Sequence, residues 1–131
     1  LALLEFIVFG TPVTSPGPAR RFWQERIQRA GADAAHGRPP SAADSLVLRI
    51  AYFHVDSPAG DLDNIVKPIQ DALKGIAYAD DRQVVDLVAS MRRKGFSEDV
   101  PMTATLSAGL GGGSDFIYVA VDQSSRIEVF Q

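Results

Sequence analysis

Residues 46–53 constrain this chain more than any other segment. Leu46, Leu48, Ile50 and Tyr52 alternate with Val47, Arg49, Ala51 and Phe53. Alternation sends the two sets to opposite faces of a strand, and here both faces are largely apolar. Such a strand needs cover on both sides, which places it inside a sheet rather than at its rim. A turn over residues 56–60 ends it. Ile65, Ile69, Leu73 and Ile76, with Ala72, then follow at helical spacing. Gly75 is placed to stop that helix.

The remaining segments follow the same logic. Residues 3–9 read as a buried strand. Residues 1–9 are apolar but interrupted by Glu5, with no basic region before and no small-residue cleavage site after, so a strand is expected rather than a signal peptide. Residues 10–17, with two prolines and two glycines, form a loop. Pro18 suits the first position of a helix. Trp23, Ile27, Ala30 and Ala34 give that helix a core-facing stripe, and Phe22 and Trp23 read as core rather than as platforms for bases. Pro39-Pro40 marks a second loop, over 37–43. Strands are expected at 84–91 and 102–108, a flexible hinge at 109–114, and a terminal hairpin from 116–121 and 127–130. Pro68 sits awkwardly within the second helix: either the helix starts late or its first turn is irregular.

This order predicts a single α+β domain, a mixed sheet of about four to six strands flanked by two helices. Residues 1–108 would form the core. Residues 109–131 would be a Gly-rich hinge and β-rich tail packed on it, capping the sheet edge or reaching across a dimer. A hydrophobic fraction of 46% over 131 residues is enough for one core. The absence of cysteine excludes disulfides and thiolate metal sites and is compatible with the cytoplasm. No apolar run approaches a membrane span. A net charge of −3 argues against a chain coated in positive charge. Its cations nonetheless gather at Arg20, Arg21, Arg26, Arg29 and Arg38, and at Arg92-Arg93-Lys94.

The chemistry concentrates after the central strand. Asp61-Leu62-Asp63-Asn64 precedes Lys67, and Asp80-Asp81 follows the helix. Two carboxylates about 4 Å apart repel by ~1 kcal/mol in water and ~4 kcal/mol at an effective dielectric near 20. A cation among them relieves this, and an oxygen-only donor set suits Mg²⁺ or Mn²⁺. Asp61 and Asp63 alternate onto one side of an extended entry to the helix. Asp81 lies before the next strand, and if that strand pairs beside 46–53, the three carboxylates are expected to meet at one end of the sheet. Lys67, one turn beyond Asp63, is placed to contact a phosphate. Those roles make up phosphodiester hydrolysis. The plain alternatives are a helix cap at Asp63-Asn64, a Lys67–Asp71 helix ion pair and a turn at Asp80-Asp81. His54 fits a hydrogen-bonded structural histidine better than a base. No nucleophile, base and acid set stands out, the run at 109–113 is no phosphate-cradling loop, and the acidic spacing is not that of an EF-hand.

Asp61-Leu-Asp-Asn-Ile-Val-Lys-Pro-Ile-Gln-Asp-Ala-Leu-Lys-Gly, followed by Tyr78-Ala-Asp-Asp-Arg-Gln-Val, resembles the signature of the RusA-type Holliday junction resolvases. The likeness covers residues 61 to about 86, roughly a fifth of the chain, and is more specific than any of its fragments. Gly10-Thr-Pro-Val resembles the family's start only loosely. The N-terminal loop lacks the family's proline- and asparagine-rich pattern, and the Gly-rich hinge and tail are additions. The resemblance implies a dimeric, Mg²⁺-dependent endodeoxyribonuclease that resolves four-way DNA junctions in recombination and repair. It implies metal-binding aspartates at Asp61, Asp63 and Asp81, and a catalytic lysine at Lys67. Asp80 and Asn64 would support them from beside the site. Arg20, Arg21, Arg29, Arg92, Arg93 and Lys94 are the expected contacts to the DNA backbone. The rival reading is a noncatalytic or differently specific DNA-binding relative of prophage origin.

Overall fold

The computed structural model describes residues 2–95 and 102–124. Four strands form one mixed sheet: β1 (Leu4–Phe9), β2 (Leu46–His54), β3 (Val84–Arg93) and β4 (Phe116–Gln123), in the spatial order β1-β4-β2-β3. β4 runs antiparallel to both of its neighbours, and β2 and β3 are parallel. The expected α+β domain is therefore observed, with three helices where two were expected: α1 (Pro18–Ala35), α2 (Leu62–Leu73) and α3 (Ala104–Leu110).

Alternation along the strands divides the apolar residues between two layers. Leu46, Leu48, Ile50 and Tyr52 of β2 face the larger layer, with Phe6 of β1 and Val119 of β4. α1 and α2 cover that face through Trp23, Ile27, Ile65, Ile69 and Leu73. Ala51 and Phe53 turn to the other face, where Phe116, Tyr118 and Leu106 join them under α3. β2 is thus buried from both sides, as its composition requires. On α1 the stripe is as expected at Trp23 and Ile27, with Gly31 and Ala35 buried between the half-buried Ala30 and Ala34. Phe22 departs from expectation. It is 63% exposed, because one residue before Trp23 is about 100° around the helix.

Pro68 lies inside α2. The first turn absorbs the irregularity: Asp61 C=O accepts from both Asn64 N–H (3.1 Å) and Ile65 N–H (3.2 Å). Proline offers no N–H to the Asn64 carbonyl, and Asn64 is exposed, so water can take that place.

The chain after residue 101 departs most from expectation. Residues 104–110 are helix, not strand. Thr103 accepts from Leu106 N–H at 3.1 Å and caps it. Leu106 and Gly109, three apart, then face the sheet. A Cβ on Gly109 would collide with the Phe116 ring, so glycine serves close packing there rather than a hinge. The following turn is also held. Lys94 Nζ donates to Gly112 O (2.6 Å), Ser114 O (2.9 Å) and Gly109 O (3.4 Å), and stands 5.3 Å from the Phe116 ring centroid. β4 lies between β1 and β2, not at an edge of the sheet. The partner strand expected at 127–130 falls outside the described residues.

Removing the Lys94 ammonium would leave three carbonyls without their charged donor. Lys94→Ala is expected to lower unfolding free energy by about 1–3 kcal/mol in urea titrations. An unchanged midpoint would show that the turn holds without it.

Candidate active site

β2 ends at His54, and residues 55–60 lead into α2. Gly60 has φ +154°, and a Cβ there would meet Thr14 Oγ1 at 3.1 Å, so the entry to the motif requires glycine. Asp61 occupies the N-cap position with extended backbone, yet its side chain makes no cap hydrogen bond. Its carboxylate is thus not consumed by helix capping. Asp63 and Asn64 are exposed on the first turn. Ile65, Val66, Ile69, Ala72 and Leu73 are buried, which leaves Asp63, Lys67 and Asp71 as a ridge on the solvent side. Lys67 Nζ pairs with Asp71 at 3.1 Å, with both side chains largely exposed. The simple i,i+4 ion pair is present, and at that exposure it is weak.

Asp80 and Asp81 belong to a tight turn that leads into β3. Gln83 anchors it: its side-chain oxygen accepts from Ala79 N–H and Asp80 N–H, both at 2.9 Å. Its amide donates to Ser41 O (2.8 Å) and Ala43 O (2.9 Å). Asp80 accepts from Arg82 N–H (3.0 Å) and from the Arg82 guanidinium (2.9 and 3.2 Å). Those hydrogen bonds, led by the guanidinium, hold its carboxyl at about 2. Asp81 stands beside Tyr78. Burial first, then the negative charges of Asp81 and Asp71, push the Tyr78 hydroxyl up to about 12.

Asp61 and Asp81 come to opposite ends of the sheet, contrary to the expected meeting at one end. β2 and β3 pair in parallel, with Leu46 beside Val84 and His54 beside Arg93. The approach to β3, with Asp81, therefore lies where β2 begins. Asp61 and Asp63 follow the point where β2 ends. Nine strand residues separate those ends by roughly 25–30 Å, and α2 returns along about 18 Å of that length. Among the described residues, no group of three or more His, Asp or Glu side chains is gathered in a way that could hold a metal ion.

The end of the sheet that carries Asp61 has a carboxylate the sequence did not single out. Asp115 accepts from Tyr52 OH (2.6 Å), Val55 N–H (2.9 Å) and Thr11 OH (3.3 Å), tying together the ends of β1, β2 and β4. Burial pushes its carboxyl up, but those donors and the nearby His54 outweigh it and hold the group below the usual carboxylate range. The clue lay in its position, directly after the glycines and before a strand. His54 meets the Asp56 carbonyl through Nδ1 and tilts against Tyr52, as a structural histidine does.

The expected DNA contacts separate. Arg20 is half-exposed and Arg21 and Arg29 are exposed on α1, which packs beside α2. Arg92 and Arg93 are adjacent in a strand and point to opposite faces. Arg93 is exposed, Arg92 is half-buried, and Lys94 is committed to three carbonyls. The trio is therefore not one basic patch.

All three tyrosines donate to an acceptor: Tyr52 to Asp115, Tyr78 to Gln70 O and Tyr118 to Glu5. Burial, the leading cause in each, raises all three hydroxyls. A raised folded value means that the native state keeps the proton where the unfolded state loses it, so stability falls as pH climbs from about 10 towards 12. Absorbance at 295 nm is expected to show no tyrosinate at pH 10 in the native protein. Substantial ionisation there would overturn these contacts.

The family model described as Endodeoxyribonuclease RusA matches residues 20–103, which is well over half of the chain and spans both the acidic helix and the turn at Asp81. A comparison with curated proteins gives no match. No described helix is long and apolar enough to cross a membrane. The chain belongs to the RusA family of endodeoxyribonucleases.

Proposed function

We propose that this protein is a Mg²⁺-dependent endodeoxyribonuclease that cuts branched DNA, with four-way junctions as its preferred substrate. Family membership carries the reading, because the matched span holds Asp61, Asp63, Lys67 and Asp81 together. The setting is the cytoplasm, and the acting form is a homodimer, whose symmetry supplies two centres for paired cuts.

Each residue has a role in this reading. Asp61 and Asp63 present carboxylates at the entry to α2. Lys67 rests on Asp71 when DNA is absent. An exposed pair of that kind is worth only tenths of a kcal/mol, so an arriving phosphate can take the ammonium at little cost. Asp80, held by Arg82, shapes the turn that presents Asp81, and Asn64 flanks Asp63. Arg20, Arg21 and Arg29, on the same helical layer as α2, and Arg93 contact the DNA backbone. A divalent Mg²⁺ or Mn²⁺, when bound, would polarise the phosphoryl group and favour hydroxide over water. One chain by itself does not gather the oxygens to hold such an ion. Within a single chain the roles are therefore limited to binding and orienting DNA.

The separation of Asp81 from Asp61 also favours a second reading, a RusA-like DNA-binding protein that does not cut. A panel of four-way, three-way, flapped and linear duplexes, dosed with Mg²⁺, separates the two. Cleavage confined to branched substrates supports the nuclease; binding without product supports the alternative. Asp63→Asn is expected to abolish cleavage while junction binding stays within about twofold. Loss of both would mean that Asp63 serves the fold. Lys67→Ala is expected to slow cleavage by about 100-fold with an unchanged melting temperature. An unaltered rate would remove Lys67 from the chemistry.

A further inference from the structure

β3 is an outer strand. It pairs with β2 on one side and, among the described residues, with no strand on the other. It is ten residues long, and Val85, Leu87 and Val88 are 48%, 46% and 45% exposed. A long apolar edge is a template for another strand unless proline, charge or a covering element blunts it. β3 has no proline, and its charges stand near its ends: Asp86 towards the start, Arg92 and Arg93 at the finish.

That order is self-complementary. Directly opposed residues of an antiparallel pair share a face of the sheet. With a two-fold axis at Ala89, Asp86 lies opposite Arg92 of a second copy, Leu87 opposite Met91, and Val88 opposite Ser90. Moving the axis to Val88 sets Asp86 against Ser90. Moving it to Ser90 sets Asp86 against Lys94, whose ammonium already serves three carbonyls. Arg92 supplies an independent observation. Its Nε is buried and has no hydrogen-bond partner among the described residues, a state that buried donors rarely keep. Asp86 is oriented by a hydrogen bond from Ser124 Oγ at 3.0 Å and lies on the same face of β3 as Arg92.

We propose that two copies of this chain pair antiparallel through β3 about Ala89, joining their sheets into one. The axis stands perpendicular to the sheet, so both α1–α2 layers stay on one face. It also turns the second copy end over end. The approach to that copy's β3, with Asp81, arrives beside the end of the first copy's β3, which is the end that carries Asp61 and Asp63. This step rests on the nuclease reading. The acidic set that one chain leaves divided is brought to one end of the joined sheet by two, and symmetry does so twice.

Because the chain has no cysteine, Ala89→Cys tests the register directly. Opposed Cα atoms about 4.5–5.5 Å apart fall within disulfide range. Oxidation is expected to give a covalent dimer with Ala89→Cys and none with Val85→Cys, which this register places opposite Arg93. In sedimentation, the full chain is expected to be a dimer that Asp86→Arg or Arg92→Asp weakens by at least about tenfold. Mixing the two variants is expected to restore it, since each then meets the opposite charge, and that recovery also shows that both fold. A monomeric wild type, or a dimer indifferent to both substitutions, overturns the pairing. A monomer that dimerises only after residues 125–131 are removed overturns it too, by giving the edge to the chain's own tail. Mixed Asp61→Asn and Asp81→Asn dimers are expected to regain nicking at one site, and silence from that mixture refutes the shared site. A stable dimer whose wild type never cuts instead refutes the nuclease reading and leaves the interface standing.

Discussion

The parallel pairing of β2 with β3 governs the rest of the structure. Parallel neighbours cannot be joined by a hairpin, so the chain must cross the sheet before it returns. α2 is that crossing. Its apolar side closes the core over β2, and its far side carries Asp63, Lys67 and Asp71. The same crossing separates Asp61 from Asp81, because a parallel return restores the starting end of the sheet. The arrangement of the acidic residues is thus a consequence of strand direction, independent of any attraction or repulsion among them.

What the sequence disclosed was whatever local periodicity encodes. β2 was legible because both of its faces are apolar, and α1 and α2 because Trp23–Ile27 and Ile65–Ile69–Leu73 repeat at helical spacing. The identities of Asp61, Asp63, Lys67 and Asp81 were legible from spacing and from family likeness. Their placement was not, since nothing in residues 61–86 states whether the next strand runs parallel or antiparallel. α3 misled for a related reason. Alternating small and apolar residues at 102–108 imitate a strand, and the helix is decided by the Thr103 cap and by Gly109 against Phe116, a contact with a residue of another element. Lys94 reads as surface charge in isolation. Only the fold brings the Gly112 and Ser114 carbonyls to it.

The two ends of the sheet are held differently. Where β2 ends, Asp115 gathers donors from three segments, so the base on which Asp61 is presented is braced from below. Where β2 begins, Gln83 and Arg82 brace the turn that carries Asp81. Both carboxylate-bearing loops are therefore supported by neighbouring side chains. Preorganised groups suit a site that must meet a rigid phosphate backbone, because less ordering remains to be done on binding.

A net negative chain that handles DNA must keep its acidic and basic surfaces apart. The arginines of α1 and the carboxylates of α2 lie on one helical layer, so a duplex crossing that layer meets attraction and repulsion in succession. A lone chain then holds DNA near Asp61 and Asp63 without enough oxygen ligands to act on it. Joining through β3 would change that by geometry alone, since reversing one copy is the only way for parallel strands to bring Asp81 to the end occupied by Asp61. Cleavage would then depend on assembly as well as on metal, and a single chain bound to duplex DNA would be harmless. For an enzyme whose proposed substrate is itself two-fold symmetric, a site that exists only in the symmetric pair also limits cutting to junctions that both copies can reach.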